Sequence, residues 1–303
     1  MVPGGITISS PRASLRAFAG SKLEGLEKYA LQTQTGKRIL TALYRSSFYS
    51  YVTSKINEFR DIKLIEEIKE NPLPRHIAVI MDGNRRFAKE IGLSQEAGHV
   101  FGKMKIEEVL DWCFDLGVPV LTIYAFSTEN FKRSEKEIST LMTLFKEELD
   151  KAKQDSRIHQ NKVRIRILGR LELLPKDIQE SATYVMEMTK QYDAYHLNIA
   201  LAYGGREEII TAIQRIAGDV KKGKMKLSDI SQATVSSYLY TTGLPDPDLI
   251  LRTSGEERIS NFLLWQIAYS ELYFSDVYWP AFQKRDFLRA ILTYQNRRRR
   301  FGQ

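Results

Sequence analysis

Residues 76–89 have the sequence HIAVIMDGNRRFAK, in which an uncharged apolar run leads directly into charged and polar residues. The run from Ile77 to Met81 is typical of a strand buried in a parallel sheet. Open parallel sheets bind their ligands beyond the carboxyl ends of the strands. The sequence therefore predicts a ligand site at the residues that follow, which are Asp82, Gly83, Asn84, Arg85 and Arg86.

These residues offer the chemistry needed to bind a metal and a phosphate group. Asp82 is a carboxylate that can hold a divalent cation, and the guanidinium groups of Arg85 and Arg86 suit phosphate oxygens. The alternative is a strand followed by an ordinary Asp-Gly-Asn turn and solvated arginines. On this segment alone both interpretations stay open.

The composition is that of a globular protein with anionic partners. The 303 residues are 43% hydrophobic, which suffices for one large α/β domain or two smaller ones. A net charge of +8 favours phosphorylated small molecules, anionic lipid surfaces or nucleic acid as partners. Cys113 is the single cysteine, so no intrachain disulfide can form, and we expect a reducing, cytoplasmic compartment. No apolar run approaches the ~18–20 residues needed to cross a bilayer.

The amino-terminal part of the chain differs from the rest. Residues 1–71 contain helical patterns but no strand pattern, and residues 37–60 predict an amphipathic helix with an aromatic face. This face is expected to pack on the main domain or on a second subunit. Peripheral contact with a membrane surface is the alternative. Because Pro72 and Pro74 disfavour helix, we divide the chain into a helical extension and a main domain over 72–303.

From Pro74 onward, strand patterns alternate with helix patterns. This alternation predicts an α/β fold with a six-stranded, mainly parallel sheet covered by helices on both faces. The predicted strands span residues 77–81, 120–126, 163–168, 196–202, 248–252 and 272–275. The predicted helices span residues 99–116, 134–153, 177–192, 206–222 and 284–298. The G-x-G-x-x-G fingerprint and the P-loop are both absent.

A second polar cluster, residues 127–133, follows the second predicted strand and should lie beside the first cluster at the same sheet edge. Ser134 and Glu137 match the S-x-x-E pattern of a helix capping box, which gives both a structural role. Ser127 and Asn130 have no such structural explanation. We therefore expect them to contact a ligand.

Two further clusters follow predicted strands. In residues 198–206 (NIALAYGGR), a Gly-Gly pair before a helix favours anion binding, although such pairs also form ordinary turns. In residues 252–262 (RTSGEERISNF), two arginines and several hydroxyl groups predict a clamp for a diphosphate. The alternative for this last cluster is a charged surface loop with local Arg–Glu pairs.

Glu271 is the only carboxylate in the apolar run LLWQIAYSELYF, residues 263–274. A charged side chain in such a run should be paired or bind a metal. Glu271 and Asp82 are therefore candidates to share one Mg²⁺, which takes few carboxylates and completes its shell with substrate phosphates. The four histidines are too scattered for a zinc site. Among them His99 is the candidate for a site role, with helix capping as the alternative.

Six segments together resemble the cis-prenyltransferase family, which includes undecaprenyl and dehydrodolichyl diphosphate synthases. They occur in the family's order within residues 74–302. They are IAVIMDGNRRFAK, AGHVFGK, LTIYAFSTENFKRS, LNIALAYGGREEI, DLILRTSGEERISNFLLWQIAYSELYF and RRRRFG. The resemblance implies Mg²⁺-dependent condensation of isopentenyl diphosphate with a C10–C20 allylic prenyl diphosphate. The reaction forms a new Z double bond and releases diphosphate.

The resemblance also implies roles for individual residues. Asp82 and Asn130 would be catalytic, and Asp82 would hold the Mg²⁺ together with Glu271. The residues implied to contact the allylic substrate or the reacting centre are Gly83, Asn84, Arg85, Arg86, Phe87, His99, Ser127, Thr128, Glu129, Phe131 and Arg133. The residues implied to hold isopentenyl diphosphate are Arg252, Arg258 and Ser260. Arg300 and Gly302 would form a terminal R-x-G motif that reaches the partner's site in a homodimer.

The match departs from the bacterial pattern near the first cluster. Arg85 stands where bacterial members have glycine and where archaeal and eukaryotic members more often have arginine. Gln95 stands where bacterial members have a phosphate-binding arginine, so we expect Arg85 to substitute for it. Phe87 replaces a common tryptophan, and Ala281 replaces a frequent carboxylate.

An apolar tunnel between the helices and the sheet should house the growing chain, with the helix over 134–153 as its wall. The alternative is that the apolar face of this helix packs in the ordinary core.

Two rival functions are compatible with the same fold: a non-catalytic partner subunit, and prenyl transfer to a different acceptor. Nucleic-acid binding is disfavoured because its recognition motifs are absent, and a solvated helix end explains the basic run at 297–300.

Overall fold

The computed structural model describes residues 61–301, with side chains described as far as residue 297. The chain divides into one unit over Met1–Lys63 and a second over Leu64–Gln303. The predicted amphipathic helix at 37–60 lies outside the described residues, as do Gly302 and the side chain of Arg300.

The second unit contains a six-stranded sheet, as the sequence predicts. Its strands are β1 (His76–Ile80), β2 (Val120–Ser127), β3 (Val163–Leu168), β4 (Tyr195–Tyr203), β5 (Leu249–Arg252) and β6 (Glu271–Phe274). The spatial order is β3-β4-β2-β1-β5-β6, and every neighbouring pair is parallel. The predicted strands are confirmed. No predicted strand end differs from the observed one by more than one residue.

Helices connect the strands and cover both faces of the sheet. In the described residues they are α1 (seen over 61–69), α2 (Asn84–Glu90), α3 (Gln95–Leu116), α4 (Glu135–Ala152), α5 (Ser156–Gln160), α6 (Lys176–Met188), α7 (Gly205–Lys221), α8 (Gln232–Tyr238) and α9 (Lys284–Phe301). Helix α3 begins four residues before its predicted start, because the Ser94 hydroxyl caps it by accepting from Ala97 N at 3.3 Å. His99 therefore lies within the helix and does not open it.

The central strand β1 is buried along its whole length, which explains its uninterrupted apolar sequence. Its alternate side chains enter different clusters. Ile77 and Val79 join the larger core on the side of α3, α4 and α9, whereas Ala78 and Ile80 join a smaller cluster. This two-sided burial fixes the position of β1, and with it the residues that follow its carboxyl end.

The segment before β1 belongs to the compact unit. Ile68 is completely buried, and Gln295 Nε2 on α9 donates to the carbonyls of Ile68 and Asn71 at 2.9 and 3.0 Å. The compact unit therefore begins by Leu64. The boundary predicted at Pro72 lies too far along the chain, because proline marks the end of a helix and not the edge of the core.

Candidate active site

The polar clusters meet at the carboxyl ends of three neighbouring strands. Asp82 follows β1, Ser127 ends β2 and Arg252 ends β5. Strand β1 lies between β2 and β5 in parallel register, with Ile80 opposite both Tyr124 and Arg252. The predicted placement of the first, second and fourth clusters at one sheet edge is confirmed.

A left-handed glycine turns the chain from β1 into α2. Gly83 has φ of 101°, and a Cβ there would lie 2.7 Å from Tyr278 Cδ1 and 3.0 Å from Ser254 Cβ. Only glycine meets both constraints without strain. The turn places Asp82 at the strand end and puts Arg85 and Arg86 in the first turn of α2.

The Asp82 carboxylate is shared by two arginines. Arg252 Nη2 donates to its Oδ2 at 2.8 Å, and Arg86 Nη2 donates to its Oδ1 at 3.2 Å. Burial alone would raise the pKa of Asp82, but the hydrogen bond and charge of Arg252, together with Arg86, outweigh it and lower that pKa. Asp82 is therefore ionised at neutral pH.

Arg252 is the most buried arginine of the site, with a side chain only 4% exposed. Its Nη1 donates to Ser260 Oγ at 2.8 Å and to the carbonyl of Arg258. Its Nε has no hydrogen-bond partner although it is buried. A buried guanidinium with an unpartnered donor is suited to an anion that enters the site.

The loop after β5 brings a second carboxylate to the site. Glu256 Oε1 accepts from Arg86 Nη1 at 2.9 Å, and Glu256 Oε2 lies 2.5 Å from Arg258 Nη1. Arg86 Nη2 also donates to the Ser254 hydroxyl. The predicted clamp residues and the alternative Arg–Glu pairs therefore occur together in the same loop.

This loop has a constrained backbone. Ser254, Ser260 and Asn261 have φ of 81°, 47° and 62°, in the left-handed region that non-glycine residues rarely adopt. Backbone bonds hold its first turn, because Ser254 N donates to Val277 O at 2.9 Å and Gly255 N donates to Ser275 O at 2.8 Å. Strained loops of this kind concentrate at functional sites.

The second cluster has a structural role that the sequence analysis did not assign. Asn130 Oδ1 accepts from Ser127 N at 3.0 Å and caps the 3₁₀ turn Thr128–Lys132. The expectation that Ser127 and Asn130 lack a structural role is therefore wrong. Phe131, also expected to contact substrate, packs edge-on against Phe126 with ring centroids 4.9 Å apart.

The same turn is linked to the loop after β5. Glu129 Oε1 accepts from Asn261 Nδ2 at 2.9 Å, and the Thr128 hydroxyl donates to Glu129 Oε2 at 3.3 Å. Asn261 Nδ2 also donates to Glu207 at 3.2 Å. Asn261 therefore joins the second and fourth clusters.

A third carboxylate, Glu137, lies close to two arginines and a histidine. It lies 2.8 Å from Arg133 Nη1, 3.4 Å from His99 Nε2 and 3.5 Å from Arg85 Nη1. Ser134 Oγ accepts from Glu137 N at 3.3 Å, but the Glu137 side chain does not return a capping bond. Only half of the predicted capping box forms, because these cations attract the carboxylate.

His99 lies beside this carboxylate and lines the adjoining cavity. Burial lowers the pKa of His99, although the Glu137 carboxylate partly offsets the effect. The imidazole is therefore neutral at pH 7. Phe87, another predicted contact residue, packs edge-on against Phe101 with ring centroids 6.0 Å apart.

The third cluster uses two of its amide donors within the protein. Gly205 N donates to Asn261 O at 2.7 Å, and Arg206 N donates to Asn261 Oδ1 at 2.9 Å. A Cβ at Gly204 would overlap the Glu207 carboxylate, and one at Gly205 would lie 2.8 Å from Leu264 Cγ. The Gly-Gly pair allows this close packing, which agrees with the alternative of an ordinary turn.

Glu271 is far from Asp82 in the same chain. It begins β6 opposite Leu249, which lies opposite Ile77 near the start of β1. Asp82 is five residues beyond Ile77, a distance on the order of 15 Å along a strand. Arg297 Nη1 pairs with Glu271 at 3.2 Å. Glu271 therefore lies at the amino ends of the strands, whereas Asp82 lies beyond their carboxyl ends. The expectation that the two carboxylates share one ion is wrong within a single chain.

An apolar cavity opens beside the arginine-rich edge. Its volume is about 1280 Å³ including the part open to solvent. Asn84 and His99 lie at the end near the site, and β2, β3 and β4 supply one wall. The opposite walls come from α3 and α4. The α4 lining residues are Leu141, Leu144, Phe145, Glu148, Leu149, Lys151 and Ala152.

The far end of the cavity is charged. Glu107 accepts from Lys151 Nζ at 2.5 Å and from Arg157 Nη2 at 3.1 Å. Arg157 also pairs with Asp155 at 2.7 Å. These four residues line the cavity at the carboxyl end of α4, about 27 Å along the helix axis from Glu135. The helix predicted over 134–153 is thus the wall of an apolar space with a polar end.

Four residues of the site escaped the sequence analysis as functional candidates: Ser254, Glu256, Asn261 and Glu137. Each contacts a residue distant in sequence, such as Arg86 for Glu256 and Glu129 for Asn261. Their signal was position alone, since three of them lie within the fourth cluster and Glu137 follows the second.

Two absences bear on the chemistry of the described residues. Over residues 61–297 no group of three or more histidine, cysteine, aspartate or glutamate side chains is placed to hold a metal ion. Among the helices that the structure describes, none combines the length and apolar character needed to span a membrane.

Comparisons with known proteins agree with this geometry. Residues 80–302 match the model of a family described as "Putative undecaprenyl diphosphate synthase". A tritrans,polycis-undecaprenyl-diphosphate synthase (geranylgeranyl-diphosphate specific) of Thermoplasma volcanium is 53% identical over 251 residues, covering 83% of this chain and 96% of that protein. The synthase of the same description from Methanocaldococcus jannaschii is 50% identical over 270 residues, covering 88% and 95%.

Solved structures agree as well. Lavandulyl diphosphate synthase from Lavandula x intermedia, in complex with dimethylallyl diphosphate, superposes with a TM-score of 0.71 at 34% identity, covering 74% of this chain and 95% of that one. A probable undecaprenyl diphosphate synthase from Campylobacter jejuni gives a TM-score of 0.62 at 37% identity, covering 77% and 100%.

Proposed function

Since this chain belongs to the undecaprenyl diphosphate synthase family of cis-prenyltransferases, we propose that it condenses isopentenyl diphosphate with an allylic prenyl diphosphate. The product is a Z-polyprenyl diphosphate, and inorganic diphosphate is released. The chain is thus an enzyme of isoprenoid biosynthesis.

The observation that carries this proposal is an arginine cluster at the mouth of an apolar cavity. The cluster consists of Arg85, Arg86, Arg133, Arg252 and Arg258. Arginine forks match phosphate oxygens in charge and geometry. The apolar walls suit the hydrocarbon part of a prenyl diphosphate. Such a substrate has a charged end and an apolar end, so it needs a charged site beside an apolar cavity.

We assign the first polar cluster to the allylic diphosphate and the loop after β5 to isopentenyl diphosphate. Arg86 would hold the allylic diphosphate, with Asn84 near its first carbons. Arg252, Arg258 and Ser260 would hold isopentenyl diphosphate, and the unpartnered Nε of Arg252 supports that assignment. The arginines stabilise charge that develops on the departing diphosphate.

Asp82 fits a magnesium site of one particular kind. A hard cation that takes most of its ligands from phosphates and water needs few protein carboxylates, and Asp82 is an ionised carboxylate at the site edge. Bound Mg²⁺ supplies Lewis-acid neutralisation of the leaving diphosphate. We propose that Asp82 holds this ion and that Glu271 joins a metal site only from a second chain, since it lies at the opposite sheet edge.

His99 and Asn130 are assigned to the reacting centre. The isopentenyl unit loses a proton when the new double bond forms, and the neutral imidazole of His99 can accept that proton. His99 Nε2 lies 3.4 Å from Glu137 Oε1 without a hydrogen bond to it. The hydrogen bond from Ser127 N to Asn130 Oδ1 fixes the Asn130 amide at the end of β2.

The archaeal relatives suggest the starter and product. Their names specify geranylgeranyl diphosphate and an undecaprenyl product. At 53% identity we propose the same pair for this chain: a C20 starter and a C55 product. Transfer to an acceptor other than isopentenyl diphosphate is the second candidate, because the same fold occurs in a lavandulyl diphosphate synthase bound to dimethylallyl diphosphate.

Assembly and location complete the proposal. We propose a cytoplasmic homodimer, since Tyr269 before the edge strand β6 is fully exposed, and Ile210 and Ile213 on α7 are about half exposed. Exposed apolar groups of this size commonly mark protein contacts. We also propose peripheral contact of residues 37–60 with a membrane surface.

One assay tests the function. Radiolabelled isopentenyl diphosphate is incubated with Mg²⁺ and with C10, C15 or C20 allylic diphosphate, and product lengths are determined after dephosphorylation. We expect label to enter long products, fastest with the C20 starter, and to be lost when the metal is chelated. Products formed from the allylic diphosphate alone would favour the different acceptor. No product with any starter would favour a non-catalytic subunit.

A further inference from the structure

Glu256 connects two arginines that the proposed function assigns to different diphosphates. Its Oε1 accepts from Arg86 Nη1 at 2.9 Å, and its Oε2 lies 2.5 Å from Arg258 Nη1. Arg86 belongs to the allylic site and Arg258 to the isopentenyl site. One carboxylate therefore occupies donors that both substrates need, with one oxygen for each arginine.

Both terminal nitrogens of Arg86 donate to protein groups, through three hydrogen bonds in all. Nη1 donates to Glu256, and Nη2 donates to Asp82 and to the Ser254 hydroxyl. A diphosphate that binds both nitrogens of this fork therefore competes with these partners, two of which are carboxylates. Glu256 is the easier of the two carboxylates to displace, because Asp82 is also held by the buried Arg252.

We infer that Glu256 is an internal competitor of the substrate diphosphates. It pairs with Arg86 and Arg258 in the empty enzyme and yields them when a diphosphate binds. It takes them back when product diphosphate leaves. Without Glu256, two solvent-accessible cations would hold that diphosphate more tightly. This inference rests on the proposed function, because it concerns the same diphosphate site.

The backbone allows the carboxylate to move without disturbing the loop. The turn before Glu256 is held by the backbone bonds from Ser254 and Gly255 to the segment at 275–277. The Glu256 side chain is partly exposed, at 27%, so solvent weakens both of its ion pairs. Replacement of the Glu256 carboxylate by a diphosphate therefore costs little free energy.

The opposite role would be that of a support. If Glu256 orients Arg86 and Arg258 for the substrate, removal of its charge would weaken diphosphate binding. If Glu256 competes with the substrate, removal of its charge would strengthen binding. The sign of the change in affinity thus separates the two roles.

Binding of inorganic diphosphate to the full-length protein, measured by titration calorimetry with Mg²⁺ present, is the test. Glu256→Gln keeps the size of the side chain and removes its charge. We expect its Kd to fall about three- to tenfold, in keeping with two partly exposed ion pairs. Glu257→Gln is the matched control, since the exposed neighbour undergoes the same change of net charge. We expect its Kd to change less than about twofold because salt screens distant charges.

A kinetic measurement provides the second readout. The inhibition constant of diphosphate in the condensation assay should fall by the same factor in Glu256→Gln, and Glu256→Ala should change it in the same direction. Unchanged or weaker diphosphate binding by both Glu256 variants, with their melting temperatures intact, would overturn the inference. An equal gain in Glu257→Gln would also overturn it, because net charge would then be the cause.

The two proposals fail in different ways. Absence of prenyl products from the wild-type enzyme would contradict the proposed function, while the calorimetric comparison would still measure competition for the arginines. Normal turnover without tighter diphosphate binding by Glu256→Gln would contradict only the role of Glu256.

Discussion

Asp82 is the residue at which the charge balance of the site is set. It holds Arg252 and Arg86 through separate oxygens, and these arginines keep it ionised. Three carboxylates, Asp82, Glu137 and Glu256, share the five arginines of the cluster, which leaves an excess of positive charge. The site therefore retains a net attraction for anions even when every arginine is paired.

Replacement of Asp82 by alanine should lower turnover by about 10²–10³-fold, as the loss of one strong electrostatic element does. The fold should survive, because the side chain is at a strand end and partly exposed. Turnover at saturating Mg²⁺ is the measurement, and Asp82→Asn is the control that keeps the size but not the charge. Near-normal turnover in both variants would show that Asp82 holds neither metal nor arginine in a productive way.

Arg258 tests the assignment of the two diphosphate sites. Arg258→Ala should raise the KM for isopentenyl diphosphate about tenfold or more, the worth of a charge-assisted contact. The KM for the starter should change much less. Arg258→Lys keeps the charge but loses the fork, so we expect an intermediate value. Equal effects on both substrates would mean that the two sites are assigned wrongly.

At the scale of the elements, α4 links the site to the length of the product. Its amino end carries Glu137 beside the arginines, and its carboxyl end contributes to the charged end of the cavity. The ion pairs of Glu107 with Lys151 and Arg157 are expensive to bury beside hydrocarbon unless they stay paired. A growing apolar chain therefore meets unfavourable surroundings at this end.

Ala152→Phe should narrow the cavity near its charged end and shorten the products. Addition of the first isopentenyl unit should proceed at the wild-type rate, because the change is far from the arginines. Chain-length analysis of labelled products is the measurement. Thr143→Phe introduces the same side chain on an exposed part of α4 and should leave the length distribution unchanged. Wild-type product lengths in Ala152→Phe would show that the chain does not reach this part of the cavity.

The strands are predictable from sequence because their pattern of burial follows directly from their apolar residues. The strand β1 is predictable because both of its faces are covered, so its apolar run is unbroken. The short helix α2 is not, since its first residues are polar and its cap is Gly83 without a side-chain bond. Close packing of Gly98 and Gly102 against Asn84 holds α2, and no local pattern shows that contact.

The candidate site divides in the same way. Asp82, Ser127 and Arg252 could be placed together because each follows a strand, and parallel strands end at one edge. The error on Glu271 comes from neglect of this rule: Glu271 precedes the strand predicted over 272–275, and the amino ends of parallel strands lie away from Asp82. The pairing of Glu256 with Arg86 joins residues 170 apart in sequence, which single-sequence patterns do not encode.

For the molecule as a whole, burial of His76 couples stability to pH. The imidazole is completely buried, with Nδ1 donating to Pro245 O and Nε2 accepting from the Thr122 hydroxyl, each at 2.7 Å. Burial lowers the pKa of His76 to about 4. Because the unfolded chain takes up this proton near pH 6.5, folding stability should fall as pH drops from about 6.5 to 4. The total loss is about 3 kcal/mol.

Chemical denaturation at pH 7.5 and pH 5 checks this expectation. His76→Gln should be less stable than the wild type at pH 7.5 and should lose less on acidification. Glu208, whose pKa burial raises, acts in the opposite sense, so the comparison between variants is decisive. His159→Gln changes an exposed histidine and serves as the control. An equal loss on acidification in the wild type and in His76→Gln would exclude His76 as the cause.

The carboxyl terminus tests assembly. If Arg300 and Gly302 reach a neighbour's site, deletion of residues 299–303 should abolish most activity. It should leave the melting temperature nearly unchanged, because the deletion removes only the last turn of α9 and the two residues beyond it, and chain ends tolerate truncation. Tail-deleted chains with an intact Asp82 are then mixed with Asp82→Ala chains that keep the tail. In a mixed dimer the intact Asp82 site receives the partner's tail, so activity should partly return after subunit exchange. Unequal mixing is controlled by measuring dimer masses. Mixed dimers that form but stay inactive would contradict a tail that acts in trans.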